Sequence, residues 1–147
     1  MNTIGINGID MDELFRLAQG AAEAAYAPYS RFRVGAALLA ADGAVYTGCN
    51  VENRSYGLTI CAERSAVVKG VSEGRRNFTA LAIATPDSPE PVGPCGACRQ
   101  VLSEFMEAAA PVRFGGSGKR RVDATVGELY PYDSLHELAG SPGAPKR

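Results

Sequence analysis

Apolar positions along the chain follow a helical period first and a strand-like pattern afterwards. They recur at helical spacing from Leu14 to Ala25, and Asp10 before them has Glu13 three positions later, which is the spacing of a capping box. Pro28 ends this pattern, because the residue before a proline avoids helical backbone. The sequence therefore predicts a first helix that begins after Asp10 and ends before Pro28.

Short apolar runs with turn residues between them predict the remaining elements. The Asp42-Gly43 step separates two strand-like runs, so we predict an antiparallel hairpin with strands near 33–41 and 44–50. The other predicted elements, in chain order, are a helix over 61–73 closed by Gly74, a strand over 78–84, a proline-rich loop over 85–94, a helix over 95–109 stopped by Pro111, strands over 112–114 and 121–125 around a turn of Gly115, Gly116, Ser117 and Gly118, and a helical turn over 126–129.

The alternation of helices with apolar strands predicts the fold class. It indicates an α/β protein, a three-layer α/β/α sandwich around a mixed five-stranded sheet. The length of 147 residues suits one domain with a core of its own. We predict a single domain over 1–147, with its core at about 10–135 and flexible ends at 1–9 and 139–147.

Composition and charge narrow the classes of partner. Hydrophobic residues make up 46% of the chain and charged residues 21%, and the formal net charge of -1 gives no strong basic field for nucleic acid. No apolar stretch approaches the ~20 residues that span a bilayer, and the N-terminal residues lack the pattern of a signal peptide. We therefore expect a cytoplasmic protein with no nucleic-acid or membrane partner.

One histidine and four cysteines restrict the chemistry further. A catalytic triad or a site with several histidine ligands would have to use His136, which precedes a Gly/Pro-rich tail and is interpreted as a solvated surface residue. Disulfides are rare in the cytosol. The cysteines must therefore carry any metal or thiol chemistry.

Three of these cysteines, at two predicted helix starts, form a candidate metal site. Cys95 and Cys98 are three positions apart, which lets both sulfurs reach one ion, and Cys61 supplies a third sulfur from another helix start. Helix N-termini favour the thiolate, which is the form that binds metal. Three thiolates leave a fourth zinc position for water, and Glu63 is close enough to take a proton from it. The pattern Cys-x-Glu with Pro-Cys-x-x-Cys matches the signature of zinc deaminases.

The charge of such a site implies a nearby cation. Zn²⁺ with three thiolates is net negative, and excess negative charge raises the pKa of bound water. Arg64 follows Glu63, and its planar guanidinium can donate to two sulfurs. Two alternatives stay open at this point, namely a structural zinc site with Cys49 as the fourth ligand and a thioredoxin-like redox pair of Cys95 and Cys98.

Three motifs together resemble the cytidine deaminase family, in its small homotetrameric branch. The resemblance covers about 26–131. The motifs are Ala27-Pro28-Tyr29-Ser30-Arg31-Phe32 with Val34-Gly35-Ala36-Ala37, Gly48-Cys49-Asn50-Val51-Glu52-Asn53 with Tyr56, and Cys61-Ala62-Glu63-Arg64 with Pro94-Cys95-Gly96-Ala97-Cys98-Arg99-Gln100. The resemblance implies a cytidine deaminase-like fold and a homotetramer whose subunits share their nucleoside pockets.

The resemblance also implies a zinc-dependent hydrolase of pyrimidine salvage that acts on a cyclic amidine C–N bond. It implies one zinc ion per subunit, held by Cys61, Cys95 and Cys98, with Glu63 as the proton shuttle. By the same resemblance, zinc-activated water is expected to attack C4 of cytidine or 2′-deoxycytidine, and Glu63 to protonate N3 and later the leaving ammonia. Uridine or 2′-deoxyuridine is the product.

Substrate-binding residues follow from the same resemblance. Phe32 matches the aromatic residue that packs on the pyrimidine ring, and Asn50 and Glu52 match the pair that binds the ribose hydroxyls. Residues at i and i+2 of a strand end face the same way, which suits two neighbouring hydroxyls. The backbone around Ala62 and Cys95 is implied to hold the polar groups of the base.

The chain also departs from the family pattern. Ser134 stands where the family usually has a base-stacking phenylalanine, with Tyr132 or Leu135 as substitutes from other positions, and a lost stacking ring costs about 1–3 kcal/mol. No role follows for Arg33, and Tyr56 is a pocket wall or a subunit contact. The alternative functions are deamination of a modified aminopyrimidine nucleoside of the blasticidin S type and a non-catalytic four-cysteine zinc module.

Overall fold

The computed structural model describes residues 8–134, and all of its regular elements belong to one sheet and the helices around it. Residues 1–7 and 135–147, which include His136, Leu135 and most of the predicted flexible ends, lie outside this range. The helices are α1 (Met11–Ala22), α2 (Ala62–Ser72), α3 (Gly96–Phe105) and α4 (Val126–Leu129), with a 3-10 turn at Tyr56–Leu58. The strands are β1 (Gly35–Ala40), β2 (Val45–Cys49), β3 (Phe78–Thr85), β4 (Pro111–Gly116) and β5 (Arg121–Thr125).

The five strands form one mixed sheet in the order β2-β1-β3-β4-β5. β3 and β4 are parallel, and every other neighbouring pair is antiparallel. The predicted hairpin is present, and Gly43 at its turn has φ 93°, a left-handed backbone that glycine adopts without steric cost. The prediction of a mixed five-stranded sheet is confirmed.

Helices cover both faces of the sheet, as the predicted three-layer sandwich requires. Alternate residues of β1 point to opposite faces, so Leu38 joins one apolar cluster and Leu39 the other. α1 packs Leu14 and Phe15 on the face that carries Leu39. α2 and α3 pack on the opposite face, together with Leu38 and Leu102. The central strands are therefore buried on both sides, which explains their nearly continuous apolar runs.

Glycines let α1 and α2 approach the sheet closely. A Cβ on Gly48 of β2 would lie 2.5 Å from the carbonyl oxygen of Ala62 and 2.6 Å from the amide nitrogen of Ala66, both in α2. A Cβ on Gly35 of β1 would collide with the backbone of Ala18 and Ala22 in α1. The N-terminus of α2 therefore lies directly over β2.

The first helix begins as predicted but ends early. Asp10 caps it by accepting the Glu13 N–H at 2.9 Å, whereas the Glu13 carboxylate pairs with Arg16 and does not complete a capping box. The helix ends at Ala22 and does not continue toward Pro28. The reason is tertiary, because the Tyr26 N–H donates to the carbonyl of Asn50 and this segment runs beside the end of β2.

The third helix is also shorter than predicted. It ends at Phe105, because Met106 takes extended backbone and forms a bridge with Phe78 at the start of β3. Pro111 begins β4, where a missing N–H at the first position of a strand is tolerated. Gly115 and Gly116 belong to β4 and not to the predicted turn.

No helix among residues 8–134 combines the length and the apolar character that crossing a bilayer requires.

Candidate metal centre and its cavity

Two helix N-termini bring three cysteine sulfurs together. Cys61 is the N-cap residue of α2, Cys95 is the N-cap residue of α3, and Cys98 lies in the first turn of α3. Neither N-cap thiol makes a capping hydrogen bond to its own helix. The sulfurs are therefore available to each other and to a shared metal ion.

The spacing of the sulfurs fits one tetrahedral zinc ion. The three Sγ atoms lie within 4.8 Å of one another, and those of Cys61 and Cys95 are 3.8 Å apart. Two sulfurs that share a tetrahedral zinc ion at about 2.3 Å stand about 3.8 Å apart. Within the described residues, the metal-binding group contains these three thiols and does not include Cys49. The donor set is thus that of an open site with a fourth position for a further ligand.

Arg64 supplies the cation that the charge of the site requires. Its Nη2 donates to Cys61 Sγ at 3.2 Å. A hydrogen bond with Cys98 and the contact with Arg64 lower the pKa of Cys61 to about 5. Arg64 is one turn along α2 from Cys61, so the helix itself delivers the guanidinium to the sulfur.

Glu63 is buried beside the sulfur cluster without belonging to it. Its side chain is 4% exposed, and its Oε2 accepts a hydrogen bond from Cys98 Sγ at 3.6 Å. Burial raises the pKa of Glu63 above its ordinary value, because the carboxylate form loses hydration. The group is therefore suited to take up and hand over a proton next to the metal position.

A cavity of about 180 Å³ opens onto these groups. It brings together predicted site residues from four separate segments of the chain. Its lining consists of Phe32, Val34, Asn50, Thr59, Cys61, Ala62, Glu63, Ile83, Thr85, Val92, Gly93 and Cys95. The volume is below the roughly 300–1,000 Å³ of typical small-molecule pockets.

Asn50 is buried in the cavity wall, where its amide holds the segment that carries Phe32. Its Oδ1 accepts the Val34 N–H at 2.9 Å, and its Nδ2 donates to the Phe32 carbonyl at 2.8 Å. An amide nitrogen carries two hydrogens, so one donor remains beyond the bond to Phe32. Asn50 thus has a structural role in addition to the ligand contact predicted from the sequence.

Glu52 lies beyond the edge of this cavity. Its Oε1 accepts the N–H groups of Tyr29 and Ser30 at 2.9 and 3.1 Å. Hydrogen bonds from Ser30 lower the pKa of Glu52, and the bond from the Ser30 hydroxyl has the largest effect. The group is therefore an anion at neutral pH. Glu52 lines an adjoining depression of about 300 Å³ with Tyr56, and Thr59 lines both spaces.

The structure assigns contacts to Arg33, for which the sequence predicts no role. Arg33 binds Asp87 through its backbone N–H and its guanidinium, so that the segment before β1 is tied to the loop between β3 and α3. Asp87 was not predicted as a site residue. The signal available in the sequence was the unexplained arginine between two cavity residues, but no pattern pairs it with an aspartate 54 positions away.

The C-terminal residues of the described range lie elsewhere on this chain. Tyr132 and Ser134 line a groove of about 630 Å³ with Ser103 and Met106, which is separate from the cavity that contains Glu63. Tyr132 is therefore not a base-stacking residue for its own chain's cavity. Leu135 lies outside the described residues.

Comparisons with known proteins agree with this geometry. The family described as the cytidine and deoxycytidylate deaminase zinc-binding region matches residues 9–112. A cytidine deaminase of Sporosarcina psychrophila is 49% identical over 123 residues, which cover 84% of this chain and 90% of that protein. A cytidine deaminase of Halalkalibacterium halodurans is 51% identical over 123 residues, covering 84% and 92%.

A solved structure adds the fold to this agreement. The crystal structure of cytidine deaminase from Burkholderia pseudomallei superposes with a TM-score of 0.80 at 42% identity, covering 84% of this chain and 98% of that chain. Proteins that agree to this extent in both sequence and fold are members of one family. The chain belongs to the cytidine and deoxycytidylate deaminases, which are zinc-binding hydrolytic enzymes.

Proposed function

We propose that this chain catalyses the zinc-dependent hydrolysis of cytidine and 2′-deoxycytidine to uridine and 2′-deoxyuridine, with release of ammonia. The observation that carries the proposal is the buried carboxyl group of Glu63 beside three converging thiols in one cavity. The names of the relatives, at about half identity over most of their length, support the same substrate class.

In this proposal each polar group next to the metal position has a defined task. Cys61, Cys95 and Cys98 hold one zinc ion, and Arg64 balances the negative charge of the thiolates. The bound zinc supplies Lewis acidity, which is the property that makes water a nucleophile near neutral pH. Glu63 would take one proton from the attacking water and deliver it to N3 of the base. It would then take the second proton from the new hydroxyl group at C4 and deliver it to the amino group, which leaves as ammonia.

The cavity wall supports the proposed orientation of the substrate. Phe32 supplies the ring that packs on the pyrimidine, and the backbone at Ala62 lies beside Glu63, where the polar edge of the base would be held. The unused Nδ2 hydrogen of Asn50 and the anionic Glu52 are a donor and an acceptor for ribose hydroxyls. These two residues favour an unmodified ribose over a nucleoside of the blasticidin S type.

The position of Cys49 argues against a four-cysteine binding module. The three other cysteines form the metal-binding group in the described part of the chain, and Cys49 is outside it. The redox alternative is also disfavoured, because Cys95 and Cys98 share their cluster with Cys61, so three thiols converge where a disulfide pair needs two.

We further propose a homotetramer whose subunits complete each other's cavities. Aromatic and aliphatic side chains are exposed around the opening, on a surface that we name the tyrosine face. It consists of Tyr26, Tyr29, Val51, Tyr56, Leu58 and Ile60. Tyr56 is 75% and Leu58 64% exposed, and a contiguous apolar surface of this kind is typical of a protein–protein interface. The small volume of the cavity supports the same conclusion.

We also propose that the reaction serves pyrimidine salvage, which the family resemblance supports. Thiols must be reduced to bind zinc, which supports the proposed location in the cytoplasm.

A panel of nucleosides tests the proposed activity. Purified, zinc-loaded protein is incubated with cytidine, 2′-deoxycytidine, deoxycytidylate, cytosine, blasticidin S and adenosine, and both the loss of cytosine absorbance and the release of ammonia are recorded. We expect one ammonia for each cytidine or 2′-deoxycytidine consumed. If protein that contains zinc converts neither cytidine nor 2′-deoxycytidine, the proposed substrate is contradicted.

A further inference from the structure

The backbone of Phe32 is held by hydrogen bonds at both its N–H and its carbonyl group. The Phe32 N–H donates to Ser30 Oγ at 3.0 Å, and its carbonyl accepts from Asn50 Nδ2 at 2.8 Å. The residue before it, Arg31, has φ 58°, a left-handed conformation that is uncommon for a residue with a side chain. Such a turn persists only where its surroundings stabilise it. The contacts of Arg33, the residue after Phe32, therefore bear directly on the position of Phe32.

That next residue, Arg33, is bound to a single carboxylate by three hydrogen bonds. The Asp87 Oδ2 accepts the Arg33 backbone N–H at 2.8 Å and its Nε at 3.1 Å, and Oδ1 accepts its Nη2 at 2.8 Å. Nη1 of Arg33 also lies 3.6 Å from the carboxylate of Glu23 at the end of α1. The Arg33 and Asp87 side chains are 38% and 26% exposed, so the pair is only partly accessible to solvent.

The pair connects two chain segments that both contribute residues to the cavity lining. Phe32 and Val34 line one wall, and Arg33 between them is directed to Asp87 instead of into the cavity. Asp87 lies in the loop between β3 and α3, and Val92 and Gly93 of the same loop also line the cavity. A bidentate arginine–carboxylate contact fixes orientation as well as distance.

We propose that Asp87 is a positioning residue for deamination, which acts through Arg33 to hold the Phe32 ring against the pyrimidine base. The inference rests on the proposed function, because it needs a base in this cavity. The ring contacts the base before and during the reaction, so its contribution is uniform binding, which changes KM and leaves kcat nearly unaltered.

Kinetics of Asp87→Ala and Arg33→Ala with cytidine test this role. We expect KM to rise about 3- to 10-fold in each, as the loss of a partly exposed, charge-assisted contact implies, with kcat and zinc content unchanged. The matched control is Arg75→Ala, which removes another arginine–aspartate contact, with Asp42 at 3.0 Å, at the hairpin turn away from the cavity. Its KM should equal that of the unaltered protein.

A double-mutant cycle with Phe32→Ala separates positioning from a general structural role. If Asp87 acts through the ring, Asp87→Ala causes no further rise in KM once Phe32 is alanine. Full additivity of the two effects on KM, or an unchanged KM in Asp87→Ala, would overturn the inference. An unaltered protein that binds zinc but does not deaminate cytidine would instead contradict the proposed function, and the inference with it.

Discussion

Glu63 illustrates how a single residue position combines burial and chemistry. It is the second residue of α2, where the partial charge of the helix start and the adjacent Arg64 favour a carboxylate, whereas burial opposes it. A buried carboxyl group lowers stability unless it is hydrogen-bonded, and its hydrogen bond is with Cys98 of the metal-binding group. We therefore attribute the burial of Glu63 to the proposed proton transfer and not to packing.

Glu63→Gln should abolish most of the activity and leave the metal site intact. The amide has nearly the same shape but cannot take up a proton, so we expect kcat for cytidine to fall by about 10²- to 10⁴-fold. Zinc content, measured on the purified protein, should remain at one ion per chain. Glu73→Gln at the end of the same helix is the control, because Glu73 forms an exposed pair with Lys69. Turnover by Glu63→Gln at the rate of this control would rule out the proton-shuttle role.

Alanine substitutions of two cysteines should have opposite outcomes. Cys98→Ala removes one of three converging sulfurs, so we expect loss of zinc and of deaminase activity. Cys49→Ala removes a thiol outside this group, so zinc and activity should be retained. Metal analysis of both purified variants is the measurement. Retention of zinc by Cys98→Ala, or its loss from Cys49→Ala, would show that the ligand set has been identified incorrectly.

Among the elements, α2 and the sheet beneath it decide where the site lies. The N-terminus of α2 carries Cys61, Ala62, Glu63 and Arg64, and it approaches β2 at Gly48 more closely than any larger residue would permit. The carbonyl of Cys49 also accepts the hydroxyl of Ser65 at 3.0 Å. The depth of Glu63 and the position of Cys61 therefore depend on the packing of a helix against a strand, and the depth of that packing is set by one glycine.

Gly48→Ala should separate α2 from β2 and weaken the metal site. A methyl group at this position would meet helix backbone, which cannot rotate away as a side chain can. We expect a loss of about 3 kcal/mol in the free energy of unfolding, together with weaker zinc binding. Gly20→Ala in α1 is the matched control, because a Cβ there meets nothing within 4 Å, and it should stabilise the protein by about 0.5–1 kcal/mol. Denaturant unfolding and zinc titration of both variants would test this, and equal effects would refute it.

For the whole molecule, we propose that a second copy completes the pocket at the tyrosine face. One chain encloses about 180 Å³ next to Glu63, and Glu52 borders a second space that is also lined by exposed Tyr29 and Tyr56. The rings of Tyr29 and Tyr56 are in edge contact with centroids 5.7 Å apart, so this face presents a defined shape to a partner. A second copy seated there would enclose the ribose side of the pocket.

Leu58→Glu should dissociate the proposed homotetramer and lower activity with it. A charge at the centre of an apolar interface is desolvated without a partner, which is strongly unfavourable. We expect a smaller mass by light scattering and a higher KM for cytidine. Ala41→Glu adds the same charge at the exposed hairpin turn and should change neither. A protein that is monomeric and fully active before any substitution would remove the basis of this proposal.

Local patterns were sufficient for most of the fold. The periodicity of the apolar residues, the Asp42-Gly43 turn and the Asp10 cap predict elements that are present, because each depends on neighbours within a few positions. The ends of α1 and α3 were predicted too late in the chain. Tyr26 and Met106 pair with distant residues instead of continuing the helices. Long-range pairing of this kind overrides local helical preference.

The candidate site divides in the same way. The sequence by itself determined the family, the three cysteines of the metal site and the neighbouring Glu63, because these residues lie at two helix starts with a recognisable spacing. Only the tertiary structure decided that Cys49 is outside the cluster, that Asn50 holds the Phe32 segment, and that Asp87 binds Arg33. Those relations join residues that are far apart in the chain, and folding brings them together through packing that no local pattern encodes.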